Sequence, residues 1–531
     1  MPKIKGIYIG IILAATAVII VGAFALRAML THHPLRGQKG KLSQQAITDT
    51  TGSAAQYYTD TTHQNFWIGT TNQQALNRQM LIQMLSYADS LGLNPKDYRL
   101  NYIITHDSLL RTGHFTDTTR YAATETIFTN TARTFLFSAA YGKAITFSYN
   151  GLMYTADTAG IANKLLHLLH HHNWRNTLDS IEPHYYQYTV LKAGYNHIKA
   201  IIKQYHTIET TTALNTHGIP VSAILKLKAY GLIGPDVNND SVYGNNLKPV
   251  LQAFQKITGV DTTGHLGSIT LNNLKYPLSI RLSEIKASLN FWRWAQRIPE
   301  HRLIFVNVGA AVLQVIDSDA LKLDMRIIVG ERVKEKQTPL FTAYIVNVTT
   351  YPHWVVPISI ISKEMMPKIA RNVCYLQDNN LEVIDYQGNV IDPATISWWK
   401  YSASNFPFII RQTTGCDDAL GILKFDPSSP YDIYLHDTNV RDLFGNRYRY
   451  LSHGCIRLQK PLELARYILE ERFDSTTESY LNQCMKDEEP HDIKVTKKVP
   501  VVIYYLTAAV NPNGTLQFYN DTYSLNIWKR N

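Results

Sequence analysis

The sequence predicts a multidomain α+β protein: an N-terminal transmembrane helix, a helical scaffold, a small three-helix insert and a mainly β domain with a capping insertion. Three observations carry that expectation. An uncharged apolar run lies near the N-terminus, a long stretch follows with apolar residues at helical spacing, and after Arg302 the texture changes to period-two apolar runs. At ~100–200 residues per domain, 531 residues allow roughly three or four domains. With 45% hydrophobic and 18% charged residues, the composition excludes a disordered chain, a collagen-like fibre and a small cysteine-stapled scaffold. A mean hydropathy of -0.17 excludes a polytopic membrane protein. The net charge of +10 suits an anionic partner, whether nucleic acid, acidic lipid or an anionic polymer, without choosing among them.

Residues Ile7–Leu26 form 20 uncharged residues behind Lys3 and Lys5, long enough to span a hydrocarbon core as a helix. Residues 1–30 therefore read as an uncleaved signal anchor, although Ala23-Phe24-Ala25 leaves signal cleavage open. Arg27, Arg36, Lys39 and Lys41 follow the run and blur its orientation. The bulk of the chain is expected to be exported, which turns the positive charge toward envelope components and away from nucleic acid.

Residues 31–60 are polar and read as a linker; 61–214 read as a helical scaffold. Its clearest helical patterns are 81–98, which stops at Gly92 and Pro95, then 125–142 and 191–205. Within it, His167, His170 and His171 have a spacing that could bind a metal, but no carboxylate or Cys completes the set. A solvated helix end is the reading preferred. Residues 215–275 form a compact unit with helices near Val221–Tyr230 and Leu247–Ile257, a DTTGHLG turn and a short final helix. Residues 276–300 look like a connecting helix anchored by Trp292 and Trp294. The mainly β domain spans 301–475, with a helix near Leu462–Glu471. Its strand pattern lapses over about 363–411, read as a capping insertion. Residues 476–531 supply strands that complete this region, and the Asn511-Pro512-Asn513-Gly514 turn is expected to return a strand to the same sheet.

The chemistry concentrates in YDIYLHDTNVRDLFGNRYRYLSHGCIRLQKP, residues 431–461. A Cys nucleophile works as its thiolate, and a neighbouring imidazole accepts the thiol proton. His436 ends a predicted strand and Cys455 follows 19 residues later, beyond a polar loop, so the two can meet. Gly454 permits a tight turn that aims the amides near Gly454 and Cys455 at a developing oxyanion. A metal hydrolase using His436 and His453 as ligands is disfavoured, because no third His or carboxylate stands with them.

The spacing from His436 to Ser452-His453-Gly454-Cys455 resembles the signature of the L,D-transpeptidase (YkuD-type) catalytic domain. The flanks YIVNVTTYPHWVVPISIISKEMMPKI (344–369), RQTTGCDDALGILKFDP (411–427) and YLHDT (434–438) are similar to the large YcbB-like L,D-transpeptidases. Residues 215–275 resemble the peptidoglycan-binding-like domain. The resemblance implies that Cys455 attacks the L,D-bond of a peptidoglycan tetrapeptide stem and releases D-Ala, and that an amine of a second stem then forms a 3-3 cross-link. It makes His436 the general base and acid, and Ser452, His453 and Gly454 the oxyanion and loop support. Tyr434, Arg457, Asp437 and Trp354 become substrate-binding candidates. Asp418 stands where many relatives carry Asn, which puts substrate contacts there in doubt. No cofactor and no metal are implied. The partners implied are stem peptides, the membrane through the N-terminal helix, and other proteins of cell-wall synthesis; the location implied is the inner membrane, with the catalytic part in the periplasm. Carbapenem-type β-lactams are expected to acylate Cys455. Cys374 and Cys416, both at the capping region, are expected to pair and leave Cys484 free. The same acyl-enzyme would also serve an L,D-carboxypeptidase or a cross-link-cleaving enzyme, and a non-catalytic wall scaffold is the alternative from another class.

Overall fold

The computed structural model describes residues 65–143, 150–151, 154–485 and 488–529. The expected anchor Ile7–Leu26 and the linker lie outside them. Among the described residues no helix is long and apolar enough to cross a membrane.

The N-terminal part is helical, as its periodicity predicts. Helix Asn72–Tyr87 starts in a capping box between Thr71 and Gln74, and the chain leaves its following 3-10 turn through Gly92, whose φ of 71° favours glycine. Helices Leu100–Arg111, Tyr121–Tyr141, Thr158–His171 and Trp174–Ile181 complete a bundle around Trp67, Leu81, Phe128 and Phe135. His170 and His171 fall in the last turn of their helix, and among the described residues no group of three or more His, Cys, Asp or Glu is placed to hold a metal ion. The segment 215–275 forms three helices, Val221–Ala229, Gly244–Ile257 and Ser268–Lys275, with an apolar core of its own around Leu251 and Phe254.

Helix Leu278–Ala295 is more than a connector. It is buried along nearly its whole length, and Trp292 and Trp294 sit among the aromatics of the main core, where Phe291 stacks on Tyr504 at 4.0 Å. Its buried polar side chains have partners, Arg281 against Glu284 at 2.9 Å and Arg293 on the Tyr188 hydroxyl at 2.8 Å, so the helix sits in the middle of the structure.

The mainly β part contains strands β1 (Arg302–Asn307), β2 (Val312–Asp317), β3 (Ala320–Gly330), β4 (Phe341–Thr350), β5 (Leu423–Pro427), β6 (Leu435–His436), β7 (Tyr450–Ser452), β8 (Ile456–Leu458) and β9 (His491–Tyr504). They run in the order β4-β5-β6-β8-β3-β2-β1-β9, with β7 beside β3. Strand β9 also pairs with β4, so the sheet closes on itself. Among the described residues the β6–β8, β1–β9 and β7–β3 junctions are parallel, and the short strand Asn150–Gly151 adds a further parallel pair along β4. Strands β1–β4, β6 and the core of β9 fall on the period-two runs, whereas β5, β7 and β8 do not, and the closing strand comes from the C-terminal segment.

Two expectations are corrected. The turn at 511–514 joins Ala508–Val510 to Leu516–Phe518 as a separate two-stranded hairpin, not as a strand of the main sheet. The hairpin backs onto the buried helix instead, where Ser288 donates to the Ala508 carbonyl at 2.7 Å. The disulfide joins Cys416 to Cys484, while Cys374 is free and exposed on the cap. Cys416 follows the last cap strand and meets the turn after Leu481, with the two Cα atoms 5.1 Å apart. Only the return of the chain from a distant segment creates that proximity.

The capping region is more ordered than its sequence pattern suggests. Its four short strands, Trp354–Val355, Leu381–Ile384, Val390–Ile391 and Ile409–Gln412, form one sheet. Short helical turns over 358–378 pack on it around Ile361, Met365, Val383 and Ile410.

Candidate active site

The reactive groups are set by backbone pairing. Strands β6 and β8 are parallel, with His436 in register with Arg457, and the Ile456 amide donates to the Tyr434 carbonyl at 3.1 Å. Alternation along each strand then puts Tyr434, His436, Cys455 and Arg457 on one face. The Tyr434 and His436 rings lie 5.7 Å apart, edge to face.

Cys455 is half-buried, and its sulfur faces the Asp432 carbonyl at 3.9 Å. Dense surroundings push the thiol up, against the backbone N–H and hydroxyl of Tyr434 and the charge of Arg457, which favour the thiolate. His436 is 4% exposed. Burial, reinforced by the Arg457 charge, depresses its imidazole to about 3, so the ring is neutral at pH 7. Its Nδ1 is buried without a hydrogen-bond partner. Arg457 has a buried Nε without a partner as well, and burial lowers it. Among the described residues no carboxylate pairs with Arg457, which leaves a fixed positive charge beside the thiol for whatever anion forms there.

The turn before Cys455 is built by Ser452, whose hydroxyl donates to the Cys455 carbonyl at 2.6 Å and accepts from the Gly454 amide at 3.1 Å. The Gly454 amide is therefore engaged inside the turn, which corrects the expectation that it faces an oxyanion. Gly454 itself has φ of 127°, and a Cβ there would meet Ile433 Cδ1 at 3.0 Å. Thr338 donates to its carbonyl at 2.7 Å, and Tyr523 in turn bonds the Thr338 amide at 3.1 Å. Nothing in the sequence pattern pointed to Thr338 or Tyr523.

The remaining candidates spread out. His453 turns its ring away to the cap, where Nε2 meets Glu364 Oε1 at 2.8 Å; Lys336 reaches the same carboxylate at 3.3 Å. That contact holds Glu364 below the usual carboxylate range. Asp437 faces the other side of the strand. Its carboxylate accepts from Arg441 at 2.5 Å and from the Ile422 amide at 3.2 Å, so it braces the loop and does not join the site face. Trp354 stands at the base of the cap, in register with Gln412. Near it, Asp418 is 1% exposed and burial raises its carboxyl to about 7, against the backbone N–H groups of Leu420 and Trp354; its Oδ2 is buried without a hydrogen-bond partner. Asp418 also accepts from the Leu420 amide at 2.5 Å and adds its charge to those acting on Tyr434.

Residues 301–503 match the L,D-transpeptidase catalytic domain family, and residues 52–194 match the Scaffold domain. The chain carries an L,D-transpeptidase (YkuD) catalytic domain. A Haemophilus influenzae protein named "Putative L,D-transpeptidase" is 37% identical over 227 residues, which are 43% of this chain and 45% of that protein. The match thus spans less than half the length of that relative. Among solved structures, an L,D-transpeptidase from Mycobacterium smegmatis is 13% identical over 38% of this chain and 58% of that one, with a TM-score of 0.18. An Enterococcus faecium L,D-transpeptidase is 11% identical over 39% of this chain and 50% of its own, also at 0.18. The domain assignment rests on the family match and not on these superpositions.

Proposed function

We propose that the chain is a peptidoglycan L,D-transpeptidase working by a cysteine acyl-enzyme. The observation that carries this reading is the pairing of a thiol with a buried, neutral imidazole on one sheet face, within a matched L,D-transpeptidase domain. With the thiol raised and the imidazole neutral, the resting pair is Cys–SH and His, not a preformed ion pair. His436 takes the Cys455 proton as sulfur attacks the carbonyl between the third residue of a tetrapeptide stem and D-Ala. Two hydrogen bonds from Tyr434 and the charge of Arg457 steady the anion as it forms. The Cys455 amide, one residue past the engaged Gly454 amide, is the donor assigned to the oxyanion. His436 returns the proton to the departing D-Ala amine, leaving a thioester. A side-chain amine of a second stem then attacks the thioester, gives up a proton to His436, and expels the Cys455 thiol with a 3-3 cross-link formed.

We place the protein in the cell envelope, anchored in the inner membrane by Ile7–Leu26 with the catalytic part in the periplasm. The Cys416–Cys484 disulfide supports this, because structural disulfides persist in oxidising compartments. The segment 215–275 and proteins of wall synthesis are proposed to help position the substrate, and carbapenem-type β-lactams to acylate Cys455.

Intact-protein mass spectrometry with a disaccharide-tetrapeptide tests the reading. A mass gain equal to the stem minus D-Ala is expected on the natural protein and not on Cys455→Ala. Cross-linked dimers among the products mark the transpeptidase, whereas tripeptides alone would reassign it as a carboxypeptidase. An adduct that persists in Cys455→Ala would overturn the mechanism.

A further inference from the structure

A second cleft, with a volume of about 600 Å³, lies between the helical segment 244–275, the β1–β2 turn and the loop 445–450 that leads into the nucleophile turn. It does not include Cys455, and none of the chemistry above uses it.

Its lining is basic and aromatic. Arg326 donates to the Phe444 carbonyl at 3.0 Å, and Arg449 to the carbonyls of Asn446 at 2.9 Å and Ala311 at 3.1 Å. Among the described residues neither forms an ion pair with a carboxylate. Arg447 holds the insert to this loop through Asp261 at 3.3 Å and keeps an exposed side chain. One carboxylate opposes them: Asp324, which Gln314 bonds at 3.1 Å and burial raises toward neutrality. Tyr519 lines the wall and donates to Gln517 at 2.6 Å, and Tyr448 is exposed at the mouth.

The second observation is a donor without an acceptor. Asn307 lines the same cleft and is 4% exposed; its Oδ1 accepts from the Leu506 amide at 3.0 Å, while its Nδ2 has no partner. Buried amide donors are nearly always satisfied, so an unpaired one in a cleft wall marks a place for a ligand acceptor.

We infer that this cleft is a binding site for a saccharide chain bearing carboxylates, with Arg326 and Arg447 holding the acid groups, Arg449 bracing the wall through backbone carbonyls, Asn307 Nδ2 donating to a sugar oxygen and the tyrosine faces packing on the rings. Guanidinium forks match carboxylates, and flat aromatic rings with amide donors match the apolar faces and hydroxyls of sugars. Placed five residues before Cys455, Tyr450 links the cleft wall to the nucleophile turn through β7. A glycan strand held here through sugars that have lost their peptide would therefore bring the stems on its neighbouring sugars beside the site. The identity of the sugar rests on the proposed function; the site itself rests on its lining.

The test is calorimetric binding with the full chain carrying Cys455→Ala, so that failure of the acylation chemistry cannot mimic failure of binding. The probes are peptide-free peptidoglycan glycan strands, neutral chito-oligosaccharide and inorganic polyphosphate. Glycan strands are expected to bind at least tenfold more tightly than either control. Asn307→Asp keeps the acceptor for Leu506 but removes the donor, at a lowered unfolding midpoint because it buries a carboxylate. Arg326→Gln changes an exposed side chain and is expected to leave the midpoint unchanged; each is expected to weaken glycan binding about tenfold. Unaltered affinity in Arg326→Gln, equal binding of polyphosphate, or no binding of glycan strands would each overturn the inference.

Discussion

The face carrying Cys455 and the tip of the cap are held by different kinds of force. Cys455, His436, Tyr434 and Arg457 take their places from the β6–β8 register, a backbone ladder within a closed sheet. The cap tip meets that face through Glu364, whose partners His453 and Lys336 are partly exposed side chains. Its return arm is firmer, tied by the Cys416–Cys484 bond and by Asp418 under Trp354. Chemistry is thus assigned to covalent order and ladder geometry, while access at the tip rests on pairs that contribute little stability in water.

The largest effect expected is at the ladder. His436→Ala should lower the rate of acylation by roughly 10²–10⁴-fold, the usual worth of a general base, with little change in KM. Stopped-flow acylation measures it, and a loss below tenfold would mean that another base serves Cys455.

Next comes Asp418, which sharpens the division by asking how firmly the cap base is bound to protonation. Its folded value, about 7, lies above the ordinary carboxylate value, so the folded state holds a proton that the unfolded chain releases. Stability from this group is present at low pH and is lost as pH rises from ~4 to 7. His436, depressed to about 3, acts oppositely: its folded state loses stability as pH falls below ~6.5. The stability of Asp418→Asn relative to the natural protein should therefore grow by about 1.4 kcal/mol per pH unit between ~pH 4 and 7, then level off. Urea unfolding at several pH values reads the slope directly. A flat difference would show that Asp418 is ionised in the fold.

Tyr434→Phe removes the hydroxyl bond to sulfur but keeps the backbone N–H. An order-of-magnitude fall in thiol reactivity is expected, from losing one charge-assisted bond, together with a rise in the pH at which Cys455 is alkylated. The smallest effect belongs to the tip: Glu364→Gln should change KM by about threefold at most and leave kcat intact, with the difference fading at high salt. A loss of kcat there would erase the distinction between the two regions.

Legibility follows the same line. His436 and Cys455 stand out because a strand, a turn glycine and a thiol at fixed spacing are local signals, and the alternation of Tyr434 with His436 follows from strand geometry. The period-two runs locate most of β1–β4 and the core of β9 for the same reason. The Cys416–Cys484 pair, the Glu364–His453 contact and the Thr338–Tyr523 brace join segments dozens to hundreds of residues apart, and no local periodicity encodes such meetings. The engaged Gly454 amide was hidden for a subtler reason: a Ser two residues earlier competes for it, and the sequence does not say which partner wins. Helix Leu278–Ala295 shows its aromatic anchors plainly, yet only the packing reveals that they face inward on all sides.

The closure of the sheet by β9 has a temporal side. Val501 pairs with Ile304, and the same strand seals β4. At a synthesis rate of ~5–20 residues per second, the ribosome needs on the order of 10–40 s to pass from β1 to its parallel neighbour. Throughout that interval β1 lacks this neighbour, β4 lacks it from its own synthesis onward, and the turn carrying Cys455 is made before β9 has closed the sheet. Such open edges attract other strands. A nascent chain of this design therefore gains from a holding factor until β9 emerges.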